Sequence, residues 1–132
     1  MDGESVRLLI EAAKKAREKA YAPYSRFYVG AAALGEDGVI YGGCNVENSS
    51  YGLSCCAERN AIFRGVAAGC RKFEAVAIVG SADDTMPCGA CRQVMAEFGV
   101  SYVVATRADG AYRVLALEDL LPFAFTLQEE TE

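Results

Sequence analysis

The run Phe73 to Gly80, FEAVAIVG, constrains this chain more than any other segment. It is short and nearly continuous in apolar and β-branched residues, the pattern of a strand buried on both faces. Such a strand needs a layer on each side of its sheet, and the neighbouring sequence supplies candidates. Ser5 to Tyr21 sets Val6, Leu9, Ile10, Ala13, Ala16 and Ala20 at three- and four-residue spacings with charges between, and Pro23 follows, so an amphipathic helix is predicted there. Phe27 to Leu34 and Val39 to Asn45 flank Gly35-Glu36-Asp37-Gly38, whose Asp-Gly pair predicts a β-hairpin.

Asn45 to Ser54 has no periodicity and reads as a loop entering a helix over Cys56 to Ala68, with Gly69 as its stop. Beyond Phe73 to Gly80, a helix is predicted over Cys88 to Phe98 and a strand over Tyr102 to Thr106. Asp109-Gly110 then turns the chain into a strand over Tyr112 to Leu115, followed by a short helix over Leu117 to Leu121. This alternation builds an α/β fold with a sheet of about five strands and helices on both faces. The 132 residues suit one domain over 1–132, with the acidic Gln128 to Glu132 tail expected to fray.

Composition then restricts the chemistry. The chain has six cysteines and no histidine, which removes Ser-His-Asp and Cys-His catalysis and any imidazole metal ligand. Lys and Arg number 13 against 18 Asp and Glu, a net charge of -5, the wrong sign for following a phosphate backbone, so no nucleic-acid partner is expected. The run Lys14, Lys15, Arg17 and Lys19 is interleaved with Glu11 and Glu18 and reads as a solvated helix face. Met1 to Glu11 is polar, and no long apolar run occurs, so no membrane association and a cytoplasmic location are expected. There thiols stay reduced, and the cysteines point to metal binding, catalysis or packing before disulfides.

Cys88-Gly89-Ala90-Cys91 alone fits a redox pair, half of a zinc site, or a helix start bearing two thiols. Cys56-Ala57-Glu58 adds a third thiol at another predicted helix start, with a carboxylate two residues on. A zinc hydrolase needs three protein ligands, an open fourth position and a carboxylate that moves protons without binding the metal. Cys56, Cys88, Cys91 and Glu58 supply that set, and thiols at helix N-termini are favoured as thiolates. The rival arrangement is a structural four-thiolate site completed by Cys44 or Cys70; it leaves Glu58 without a purpose. Cys55 precedes the ligand position directly, and its spacing to Glu58 favours Cys56 instead.

The Cys-Ala-Glu and Pro-Cys-Gly-Ala-Cys segments together resemble the zinc nucleobase deaminase signature. More of the chain is similar to one family in that group, the small homotetrameric cytidine deaminases, whose fold is a three-layer α/β/α arrangement around a mixed sheet. The similar segments are Tyr21-Ala22-Pro23-Tyr24-Ser25, Phe27 to Ala32, Gly43 to Asn48, Cys56-Ala57-Glu58-Arg59, Pro87 to Gln93 and Leu120-Leu121-Pro122.

The resemblance implies Zn²⁺, one per subunit, on Cys56, Cys88 and Cys91, and Glu58 as proton shuttle. It implies ribose contacts from Asn45 and Glu47 in the Asn45-Val46-Glu47 segment, packing of Phe27 near the pyrimidine, and backbone contacts from Ala57 and Cys88 to the base edge. Arg59 matches an arginine hydrogen-bonded to the zinc thiolates. Tyr51 and Phe125 match residues lent to neighbouring subunits of a tetramer. The family pattern has a small residue, often Gly, where this chain has Phe123, so Phe123 competes with Phe125 for that place, with register favouring Phe125. The implied activity is hydrolytic deamination of cytidine and 2'-deoxycytidine, with ammonia released, in pyrimidine salvage.

Overall fold

A computed structural model describes residues 1–127, so the expected fraying of Gln128 to Glu132 lies outside the described residues. Helix α1 (Gly3–Arg17) starts where Asp2 accepts the Ser5 N–H at 2.8 Å. Strands β1 (Gly30–Gly35) and β2 (Ile40–Cys44) form the hairpin. After a 3₁₀ turn at Tyr51–Leu53 come α2 (Ala57–Ala67), β3 (Phe73–Val79), α3 (Gly89–Glu97), β4 (Tyr102–Thr106), β5 (Tyr112–Ala116) and α4 (Leu117–Leu120).

The sheet runs in the order β2-β1-β3-β4-β5, with β3 and β4 parallel and the other neighbours antiparallel. The central place of β3 accounts for its uninterrupted apolar sequence. Because side chains alternate along a strand, one row of paired residues faces each layer. Ala32, Ala77 and Val104 lie in register and, with Ala75, pack against Val6, Leu9 and Ala13 of α1. The adjacent row, Ala33, Val76 and Val103, packs with Ile78 against Ala57, Ala61 and Ile62 of α2 and Cys91 and Met95 of α3. The result is the expected α/β/α sandwich around a mixed five-stranded sheet.

The two largest boundary shifts have physical reasons. The first helix stops at Arg17 and not at Tyr21. Beyond it the Glu18, Lys19 and Ala20 N–H groups bond three residues back, and Tyr21 leaves the helix to pair with Asn45 and Glu47. The first strand begins at Gly30 and not at Phe27. Arg26 has a φ of 58°, and side chains hold Phe27 to Val29 in place of a ladder.

Close packing of α2 on the hairpin depends on Gly43. A Cβ there would overlap the Ala61 backbone nitrogen and lie 2.8 Å from the Ala57 carbonyl oxygen. Gly43→Ala is therefore expected to lower stability by about 1–3 kcal/mol, the usual scale of overpacking. A urea unfolding midpoint measures this, with Gly3→Ala, whose added methyl meets open space, leaving the midpoint no lower than that of the parent.

Candidate metal centre

Cys56 is the N-cap residue of α2, and Cys88 is the N-cap residue of α3. Neither thiol caps its own helix, so both are free to point away from it. Cys91 lies within the first turn of α3 and is fully buried. The packing of α2 and α3 on one sheet face brings the three Sγ atoms within 4.8 Å of one another, with Cys56 and Cys88 3.8 Å apart. Tetrahedral zinc with Zn–S bonds of about 2.3 Å sets thiolates about 3.8 Å apart, so the donor set fits that ion. Among the described residues this is the one such cluster of three or more candidate ligands, and neither Cys44, Cys55 nor Cys70 joins it. Cys70 is instead buried elsewhere and donates to the Lys72 carbonyl.

The three thiols interact strongly. Contact with Cys91 pulls the Cys56 thiol down to about 5, against its own burial and with help from Arg59 and Cys88. The same contact, together with burial, pushes the Cys91 thiol up. Arg59 Nη2 donates to Cys56 Sγ at 3.5 Å, and this contact holds the guanidinium proton more firmly than usual. Its Nε is buried without a hydrogen-bond partner. Glu58, in the first turn of α2, is 4% exposed, and burial raises its carboxyl to about 7.

The residues singled out for the sugar are tied by backbone pairing to the segment that leads into the metal cluster. Val46 pairs with Cys55 through two backbone bonds of 3.0 and 2.9 Å, and Tyr21 pairs on its other side. This fixes Asn45 to Glu47 beside the residue that precedes Cys56. Asn45 accepts the Val29 N–H at 2.9 Å and donates to the Phe27 carbonyl at 2.8 Å. Glu47 accepts from the Tyr24 and Ser25 N–H groups and from the Ser25 hydroxyl, contacts that hold its carboxyl below the ordinary range. Each side chain keeps unused capacity, one N–H on Asn45 and free lone pairs on Glu47.

Sequence reading alone did not find Ser25, Ser81 or Arg17 as parts of this frame. Ser81 accepts the Tyr28 N–H at 2.8 Å, and Arg17 bonds both Ser81 and the Tyr28 carbonyl. The bonds to Ser81 span 53 and 64 residues and that from Arg17 to Tyr28 spans 11, so no local pattern signals them. Tyr51 and Phe125 are not drawn onto the cysteines: within the single chain Tyr51 is 92% and Phe125 67% exposed.

Three thiols, a buried carboxylate beside them and two converging helix N-termini on an α/β/α sandwich define a zinc-dependent hydrolytic centre. The comparisons with known proteins agree. The family described as "Cytidine and deoxycytidylate deaminase zinc-binding region" matches residues 4–107. The cytidine deaminase of Sporosarcina psychrophila is 50% identical over 127 residues, covering 94% of this chain and 93% of the relative. That of Mycobacterium tuberculosis is 48% identical over 118 residues, covering 89% and 86%. A crystal structure of cytidine deaminase from Burkholderia pseudomallei is 55% identical, with a TM-score of 0.84 over 95% of this chain and all of that one. This chain belongs to the cytidine deaminase family.

Cys56→Ala, Cys88→Ala and Cys91→Ala are each expected to lose zinc on dialysis, whereas Cys44→Ala and Cys70→Ala retain it. Elemental analysis of the folded variants checks this directly.

Proposed function

We propose that this protein hydrolyses the exocyclic amine of cytidine and 2'-deoxycytidine, giving uridine or 2'-deoxyuridine and ammonia, as a step of pyrimidine salvage. The observation that carries this reading is the buried Glu58 beside the three-thiol cluster. Cys56, Cys88 and Cys91 would hold zinc, which would supply Lewis acidity for activating water. Glu58 accepts one proton from the attacking water and passes it to N3 as the water oxygen bonds C4. It then takes the remaining hydroxyl proton and delivers it to the amine, so the C4–N bond breaks, ammonia leaves and the C4 carbonyl forms, with one carboxylate acting as base and acid in turn.

The rest of the site selects the substrate. Glu47 and Asn45, fixed by Tyr24, Ser25, Phe27 and Val29, hydrogen-bond the ribose, and Glu47 repels a phosphate placed nearby. Phe27 and Val46 present apolar surface, and the Ala57 N–H and Cys88 backbone meet the base edge at helix starts, where N–H groups lack intrahelical partners.

Closure of the site comes from neighbours in a homotetramer, through Tyr51 and Phe125. The exposure of both rings supports that assignment, as does the exposure of Leu53, Phe123 and Leu127. A cleft of about 570 Å³ in the single chain is lined by Val100, Tyr102, Leu117, Leu121 and Phe123 and includes none of the three cysteines. We place the protein in the cytoplasm; no helix among the described residues is long and apolar enough to cross a membrane.

Glu58→Gln is expected to lower kcat by about 10²–10⁴, the range for a general acid–base residue, with zinc retained. An ultraviolet assay of cytidine turnover reads this out, and near-normal turnover would overturn the role of Glu58. Cytidine monophosphate is expected to react far less efficiently than cytidine, and equal kcat/KM values would overturn the assignment of Glu47.

A further inference from the structure

Arg92 and Gln93 directly follow the ligand Cys91, and each reaches a carbonyl of the C-terminal segment. Arg92 Nη1 donates to Leu120 O at 2.8 Å, while its Nε donates to Pro87 O at 2.8 Å, the residue before Cys88. Gln93 Nε2 donates to Phe125 O at 2.8 Å. Between these two anchors lies Phe123, whose φ of 55° is a left-handed conformation that a phenylalanine adopts only under constraint. Its ring is fully exposed, so packing of its own side chain within the chain does not hold the turn. The backbone on both sides of the turn is bonded to side chains of α3.

We propose that Arg92 and Gln93 are positioning residues that fasten the Leu120 to Phe125 strap to the helix carrying Cys88 and Cys91, and so set where Phe125 stands at a substrate site. This rests on the reading that Phe125 borders such a site. The arginine fork serves two carbonyls at once, tying the loop before Cys88 and the end of α4 into one unit. The glutamine fixes the far end of the strap with a single bond that can be removed without touching a ligand or Pro87.

The test uses the full, zinc-loaded protein with Gln93→Ala, Gln93→Glu and Arg92→Lys. Amide hydrogen exchange in residues 121–127, zinc content, and KM and kcat for cytidine are measured. Faster exchange in that segment is expected in all three. In the Gln93 variants zinc is retained and KM rises about tenfold, the scale of one net hydrogen bond, with kcat little changed. Phe125→Ala is expected to raise KM similarly without adding to the effect of Gln93→Ala. Parental exchange and KM in the Gln93 variants overturn the proposal, as does a fall in kcat that tracks zinc loss. Parental KM in Phe125→Ala overturns the link to substrate. Exchange is read without substrate, so a parent protein inactive on cytidine would overturn the proposed function while the exchange data still decide whether the fastening exists.

Discussion

The structure turns on the meeting of two helix N-termini over one face of the sheet. Cys56 and Cys88 occupy N-cap positions, and the approach of α2 to α3 leaves their sulfurs 3.8 Å apart. Uncapped helix starts concentrate unpaired N–H groups and the positive ends of two helix dipoles where thiolate charge must be tolerated. Much of the fold serves that approach. Small residues in β1 and Gly43 in β2 let α2 lie close to the sheet, and the row Ala33, Val76 and Val103 forms the floor beneath α2 and α3.

Charge balance follows from the same geometry. Three thiolates and a zinc dication leave one net negative charge, which works against activation of water. Arg59 answers it from within α2, one turn after Cys56, with its guanidinium on that sulfur. Glu58, between them in sequence, faces the opposite demand: burial keeps its proton affinity high, and the neighbouring Cys56 charge adds to this. Consecutive residues on one helical turn thus place a cation on the ligand sulfur and a buried carboxyl of high proton affinity beside it.

A second frame surrounds the metal cluster and has little regular secondary structure. Residues 24 to 29 are held by Glu47, Asn45, Ser81 and Arg17, each bonding backbone that would otherwise lack a partner. Asn45 and Glu47 order this segment and keep hydrogen-bonding capacity to spare. The strap from Leu120 to Phe125 is fastened in the same way, by side chains of α3 on its carbonyls.

The sequence by itself determined the elements and the donor set of the metal site. Periodicity marks α1, the Asp-Gly pair marks the hairpin, and the apolar run marks β3, because each is a local consequence of burial. The absence of histidine and the spacing of Cys56, Glu58, Cys88 and Cys91 restrict the metal site to thiolates with one nearby carboxylate. The tertiary structure brings together the three cysteines that this spacing selects and leaves Cys44, Cys55 and Cys70 outside the cluster. It alone ended the first helix at Arg17, where long-range pairing of Tyr21 with Asn45 and Glu47 outweighs helical periodicity. It also revealed the left-handed turn at Phe123 and the bonds from Arg92 and Gln93 that hold it, contacts spanning 28 and 32 residues. Such contacts leave no local signature, because the residues that make them are chosen by where the fold puts their partners.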